Sequence, residues 1–309
     1  MSRFALLGHP LGHSLSPVIH QAAYDALGLE HSYELLDCPD ASHVSDAVAR
    51  LRQGEFAGFN VTVPHKQVAL ALADKLDPLA RQAGAANVLA LKGSDLQAFN
   101  TDILALLSEL GDVPRSAAVI LGNGGAALGA ATALRELGFE HVYVTARSHV
   151  GDRDTWPSAQ TFKLLDVELL HWGAEAWEEI AVELSLVLQA TSAGMRGASP
   201  GEGVASVVPW QELPTSAVAY DVVYNPEETP FLSAAREHGL EARGGLGMLV
   251  GQAAAALELW LDVDAPRAAM HEAAQRALGS LEAQGQQAAQ DQQAAQRQHA
   301  AGHRGEDGG

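Results

Sequence analysis

The side chains best placed by spacing to do chemistry are Asn60, Thr62 and Lys66. From Phe59 to Val63 apolar and polar residues alternate, the period of a strand whose successive side chains face opposite ways, so Asn60 and Thr62 share a face. Pro64 has no N–H, which stops the ladder and carries His65 and Lys66 past the strand's end. Ligands of α/β sheets sit at the carboxyl ends of parallel strands. An amide, a hydroxyl and an ammonium are therefore expected around one spot. The competing reading is an edge strand with a polar solvent face and a surface lysine. Asp102 stands just before the apolar stretch Ile103–Leu110, and it, Asn100 or Thr101 could each be a helix cap. A lysine and an aspartate close together in a cleft would form a proton-handling pair.

Two further groups of residues point to ligands. In the loop before Pro17, Ser16 suits an N-cap with proline at the first helical position. Ser14 is not explained by capping, and the two hydroxyls together could meet a carboxylate at that helix N-terminus. Further on, the uninterrupted apolar run Ala117–Leu121 reads as a strand buried on both faces. It leads into Gly122-Asn123-Gly124-Gly125-Ala126-Ala127, a helix to Leu137 closed by Gly138, and the strand His141–Thr145. That succession is a dinucleotide-binding unit. The strand end that should carry an acid for a ribose hydroxyl reads Ala146-Arg147-Ser148 instead. A guanidinium grips phosphate oxygens in a bidentate manner, so a 2′-phosphate, and hence NADP rather than NAD, is expected.

The elements that must position these groups follow from the pattern of apolar residues. Strands are expected at Phe4–Gly8, Tyr33–Asp37, Phe56–Val63, near Val88, Leu184–Gln189 and Val218–Val222. Helices are expected at Val18–Leu27, Ala41–Arg52, Gln67–Leu76, Pro78–Gln82, Ile103–Leu110, Phe231–His238, Met248–Leu261 and Pro266–Leu281. Residues 151–181 carry no clear period. The chain has 309 residues, enough for two cores, and a net charge of −19 that disfavours nucleic acid and anionic membranes as partners. The single cysteine, Cys38, fits a reducing cytosol and reads as a small buried thiol. No window approaches a membrane span, and the scattered histidines, His9 and His13 among them, give no metal-ligand spacing. From Gln284 on, glutamine, alanine and glycine dominate, so 284–309, with His299 and His303, is expected to be a disordered tail.

Taken together, these stretches resemble the shikimate dehydrogenase family over residues 4 to about 280. The matching pieces include Ser14-Leu15-Ser16-Pro17, Asn60 to Lys66, Gly84-Ala85-Ala86-Asn87 and Asn100-Thr101-Asp102. They continue with Gly122–Ala127, Ala190–Met195, Tyr220–Pro226 and Gly245–Gln252. The resemblance implies an N-terminal α/β substrate domain (1–102, completed by helices 246–281) and a Rossmann-like NADP domain (103–245). Its C-terminal helices would return to the first domain. It also implies reversible NADPH-dependent reduction of 3-dehydroshikimate to shikimate, a step of chorismate and aromatic amino acid biosynthesis. By resemblance, Ser14, Ser16, Asn60, Thr62, Lys66, Asn87, Asp102, Tyr224 and Gln252 hold the substrate, with Lys66 and Asp102 catalytic. Gly122, Asn123, Gly124, Gly125, Ala126, Arg147, Ser148, Thr191, Val222, Gly245 and Met248 would line the cofactor. Asn123, Ala146, Gln189, Val88, Ala98, Ile103 and Ala105 depart from the family's usual residues. A quinate-accepting relative, a non-catalytic NADP sensor and an enzyme of folate metabolism stay open as alternatives, and so does a homodimer.

Arg147 generates a direct test. Charge-assisted hydrogen bonds contribute roughly 1.5–3 kcal/mol, so Arg147→Ala should raise the KM for NADPH about 10- to 100-fold. The KM for NADH should barely move. An equal change in both would make Arg147 a structural residue.

Overall fold

The computed structural model describes residues 1–12, 14–147 and 158–283. Ser148, His13 and the expected tail at 284–309 lie outside the described residues. Two six-stranded sheets organise the chain. The first contains β1 (Arg3–Gly8), β2 (Ser32–Asp37), β3 (Gly58–Val61), β4 (Lys75–Leu76), β5 (Val88–Lys92) and β6 (Asp95–Phe99), in the order β2-β1-β3-β5-β6-β4. β1 runs parallel to β2 and β3, whereas β5 is antiparallel to β3 and β6. The helices of this half are α1 (Ser16–Leu27), α2 (Ala41–Arg52), α3 (Lys66–Leu72) and α4 (Pro78–Ala83).

Helix α5 (Thr101–Glu109) leads to the second sheet, made of β7 (Ala117–Leu121), β8 (His141–Thr145), β9 (Glu168–Leu169), β10 (Leu184–Gln189), β11 (Val218–Asp221) and β12 (Glu241–Arg243). All its pairings are parallel, in the order β12-β11-β10-β7-β8-β9. Numbered from β7, this is the doubly wound order, with its reversal between β7 and β10. The elements around it are α6 (Gly125–Leu137), α7 (Ala159–Leu164), α8 (Glu202–Ala205) and α9 (Pro230–Glu237). α7 and β9 fall in the stretch that has no clear period in the sequence.

The chain then returns to the first sheet. Helix α10 (Leu246–Leu261) and a helix over 267–283 bring Val250, Ala253, Leu257, Met270, Ala274 and Leu278 into one core with Phe4, Ile19 and Tyr24. Trp260 stacks on Phe4 with ring centroids 4.8 Å apart, and its Nε1 donates to Leu89 O at 3.3 Å. It lies so close over β3 that any side chain at Gly58 would overlap it. The expected return of the C-terminal helices is thus present, and its anchor is aromatic.

Several sequence expectations need correction. The strand expected at Phe56–Val63 is only Gly58–Val61, and it is interior rather than at an edge, with β1 and β5 on either side. Its alternation therefore separates two buried faces. Phe59 and Val61 join the core with α2 residues Val44 and Leu51, while Asn60, only 3% exposed, faces α1 and Tyr33. The helix expected over Gln67–Leu76 is α3, which starts at Lys66 and stops at Leu72, and its last expected turn is strand β4. β6 is an addition to the expected strands: it pairs with β5 across a two-residue turn in which Gly93 takes φ +67°, a conformation glycine adopts without penalty. Ser16 is not the N-cap of α1, because Leu15 holds that position and makes no side-chain cap.

Helices α5 and α10 cross at close range: a Cβ at Gly251 would come 3.1 Å from the Ala105 Cβ. Gly251→Leu should therefore force the helices apart, lowering stability by about 1–3 kcal/mol as overpacked sites do. Thermal melting checks this, and an unchanged melting temperature would mean the crossing is slack.

Candidate functional site

Lys66 is the first residue of α3, and its neighbour His65 is held inward by a 2.6 Å contact between its Nε2 and Cys38 O. Asp102 lies in the first turn of α5. Asn100 is the cap there: its Oδ1 accepts from Ile103 N at 3.4 Å and its Nδ2 donates to Ala85 O at 2.9 Å. These anchors bring the Lys66 ammonium to Asp102 Oδ2 at 2.5 Å, with the two side chains 15% and 11% exposed. A pair so enclosed lacks the screening of surface ion pairs, and removing one partner leaves a charge stranded. The expected lysine–aspartate pair is formed.

Polar side chains from several elements are gathered on this side of the chain. Asn87, buried just before β5, accepts through Oδ1 from Thr101 N at 2.7 Å. Its Nδ2 donates to Thr101 Oγ1 at 3.0 Å and reaches Gln252 Oε1 at 3.5 Å. Gln252, on α10, is thereby brought beside residues more than 160 positions earlier. Asn60 Oδ1 accepts from the Tyr33 hydroxyl at 2.7 Å, and its Nδ2 lies 3.5 Å from Asn87 O. Thr62 N donates to Leu7 O at 2.8 Å, and its methyl fills the space above Gly8. In the serine loop, Ser14 Oγ accepts from Ser16 N at 3.3 Å. Ser14, which capping does not explain, thus does local backbone work. The Ser16 hydroxyl makes no cap. Tyr224 joins them from the second half of the chain: burial raises its hydroxyl pKa, against an opposing hydrogen bond from the Leu15 backbone. Thr101, expected only as a possible cap, and Tyr33, which no local signal marks, are the additions the structure makes.

Across from this pocket lies the glycine turn. Gly122 leaves β7 with φ +129°, and a Cβ there would come 3.0 Å from Ala190 O, at the sheet's reversal point. Gly124 faces open space, and α6 starts at Gly125 with no side-chain cap. Its first N–H groups are thus left for an anion such as a pyrophosphate. Asn123 and Ala126 complete the turn, both half-buried. A Cβ at Gly125 would meet the Lys66 Cδ at 3.5 Å, so the lysine packs directly against the turn. Arg147 is exposed just past β8. Thr191 follows β10, where its N–H donates to Gln189 Oε1 and its Oγ1 accepts from Ala193 N at 3.1 Å. Gln189, one of the departures from the family's usual residues, therefore serves as a buried loop clamp. Val222 is half-buried, and its carbonyl closes on Gly245 so tightly that a Cβ there would overlap it. Met248 is buried in the core under the second sheet. Backbone N–H groups at a helix start and a nearby guanidinium fit a phosphorylated dinucleotide.

Asp221 ends β11 between the two sides of the site. Its carboxylate accepts from Val223 N at 2.9 Å and from Thr229 Oγ1 at 2.7 Å, tying down the loop that carries Val222 and Tyr224. Burial pushes its pKa up to about 7, against those two hydrogen bonds.

Comparison with known proteins agrees with this geometry. Residues 6–89 match the shikimate dehydrogenase substrate binding domain, and residues 245–275 match the shikimate 5′-dehydrogenase C-terminal domain. Shikimate dehydrogenase (NADP(+)) from one strain of Thermus thermophilus is 39% identical over 282 residues, covering 90% of this chain and 100% of the relative. The enzyme of the same name from Microcystis aeruginosa is 36% identical over 282 residues, covering 87% of this chain and 94% of its own. The crystal structure of shikimate 5-dehydrogenase from a second Thermus thermophilus strain, with NADP(H) and shikimate, superposes with a TM-score of 0.76. That structure is 37% identical and spans 90% of this chain and 100% of its own.

The Asp221 environment sets a pH dependence. A carboxyl whose folded pKa lies above its free value stabilises the fold fully below about pH 4, and the contribution is lost as pH rises through about 7. Asp221→Asn removes that titration. The melting temperature of the variant relative to the native chain should rise from about pH 4 to about pH 7 and level off above that, and a flat difference would mean Asp221 is ionised throughout.

Proposed function

This chain belongs to the shikimate dehydrogenase family, and we propose that it reversibly reduces 3-dehydroshikimate to shikimate with NADPH. The observation that carries the reading is the enclosed Lys66–Asp102 pair, set between a pocket of hydrogen-bonding side chains and an uncapped glycine turn. A hydroxylated carboxylic acid needs such donors and acceptors rather than an apolar pocket. Ser14, Ser16, Asn60, Thr62, Asn87, Tyr224 and Gln252 supply them. Gly122–Ala126 and Thr191 would hold the pyrophosphate side of the cofactor, Arg147 with Ser148 the 2′-phosphate, and Val222, Gly245 and Met248 its remaining face. Bound there, NADPH supplies the hydride.

The chain's own part is proton management and orientation. Lys66 delivers a proton from Nζ to the ring-ketone oxygen as negative charge develops there, and takes it back in the reverse direction. Asp102 aims the ammonium by its 2.5 Å contact and keeps the charge balanced once the proton has left. Asn87, braced by Thr101, holds a substrate hydroxyl in register with Gln252. Of the departures from the family pattern near the site, Val88, Ile103 and Ala105 are all buried. We also propose that residues 1–102 with the C-terminal helices form the substrate domain and 103–245 the cofactor domain. A cytoplasmic homodimer completes the proposal.

NADPH oxidation with 3-dehydroshikimate tests the reading, and turnover with NADH should be much poorer. Lys66→Ala should lower kcat by about 10²–10⁴ while the substrate KM changes only a few-fold, the pattern of an interaction made mainly in the transition state. Full turnover by that variant would leave Lys66 as an electrostatic clamp and sink the proton-transfer role.

A further inference from the structure

Tyr33 stands outside every residue set that the resemblance supplies, yet it bonds directly to a member of the substrate set. It lies on β2, in register with Phe4 of β1, while Asn60 of β3 is in register with Leu6, two residues further along β1. Phe4 and Leu6 point to the same face, so Tyr33 and Asn60 do as well. Their strands are separated by the whole width of β1, about 10 Å at ordinary strand spacing. A phenol is long enough to lean across that gap, and its hydroxyl donates to Asn60 Oδ1 at 2.7 Å. The Ser16 side chain, from the start of α1, lies near the same hydroxyl. One oxygen on β2 is therefore bonded to a side chain of the proposed substrate set on β3.

The ring is held as firmly as the hydroxyl. His20 of α1 stacks flat on Tyr33, with centroids 4.1 Å apart and planes within 8°. His20 is fully buried, and neither ring nitrogen has a hydrogen-bond partner of good geometry. Burial pushes its pKa down to about 3, outweighing the pull of the nearby Asn60 side chain. It is thus a neutral plate at any working pH, adding packing without charge. Burial also drives the Tyr33 hydroxyl well above its ordinary pKa, so it stays protonated and able to donate.

We infer that Tyr33 is a positioning residue for the substrate site, fixing the Asn60 amide so that its NH₂ end, rather than its oxygen, faces the bound acid. With Oδ1 engaged by the phenol, Nδ2 has only the long 3.5 Å approach to Asn87 O and is left to donate to a substrate oxygen. Without the phenol the amide is free to rotate, and part of the population offers an oxygen where a donor is needed. This inference rests on the proposed reaction, since it concerns how the same substrate is gripped.

Tyr33→Phe tests it, because the ring and its stack on His20 remain and only the hydroxyl is lost. A neutral hydrogen bond contributes about 0.5–1.5 kcal/mol, so the KM for shikimate should rise about 3- to 10-fold. The variant's kcat should stay within about twofold and the KM for NADP⁺ should not move, a split that a general loss of packing would not produce. Combined with Asn60→Ala, Tyr33→Phe should add little further, since both act through one side chain. An unchanged shikimate KM in Tyr33→Phe, or fully additive losses in the double variant, overturns the inference while leaving the reaction assignment intact. Absence of both shikimate binding and turnover in the native chain overturns the reaction assignment, and this inference with it.

Discussion

An ammonium and a carboxylate facing one another inside a cleft is the constraint around which the molecule is arranged. Lys66 and Asp102 come from the first turns of different helices, 36 residues apart, and meet at 2.5 Å. Neither charge is affordable there alone. The surroundings therefore have to fix both helix starts closely. His65 turned inward onto Cys38 O fixes one, and Asn100 bonded to Ala85 O and Ile103 N fixes the other. The loop Gly84–Asn87 lies between them: Ala86 N donates to Lys66 O at 2.9 Å, and Asn87 N to Phe99 O at 3.0 Å. The pair is an outcome of backbone pairing at the ends of β3, β5 and β6.

The second half of the chain reaches this centre by three routes. Helix α10 crosses α5 closely at Gly251 and so carries Gln252 to Asn87. The loop after β11, held by Asp221, brings Tyr224 to the serine loop. The glycine turn of α6 rests against the stem of Lys66. Arg243 on β12 secures the linker between the sheets, donating to Glu109 O at 2.9 Å and gripping Asp112 with its two terminal guanidinium nitrogens at 2.8 Å. The polar pocket and the glycine turn are thus two sides of one cleft, with Lys66 between them.

Much of this can be read from the residues because local and global requirements agree. Ala117–Leu121 is apolar without interruption since β7 is central to a parallel sheet, and Gly122 follows since only glycine fits beside Ala190. The alternation around Asn60 is legible as a strand, but its interior place is not. A period of two looks the same whether the polar face meets water or a buried site. β6 does carry a short period of two, Leu96 and Ala98 being buried between half-buried Asp95, Gln97 and Phe99, but five residues give too brief a signal to stand apart from the turn and helix start on either side. It is the Ser14 hydroxyl, and not that of Ser16, that meets the backbone, since which one does so depends on loop geometry. Tyr33 leaves no trace at all: its role exists only because β1 lies between β2 and β3, and strand order is not a local property.

The most direct test of the central pair is a double-mutant cycle on kcat with NADPH and 3-dehydroshikimate, using Lys66→Ala, Asp102→Asn and the two combined. If the ammonium and carboxylate act as one proton-transfer unit, each single change lowers kcat strongly and the combined loss falls well short of their sum in free energy. Losses that add fully would show that Lys66 and Asp102 work independently, and would contradict the account.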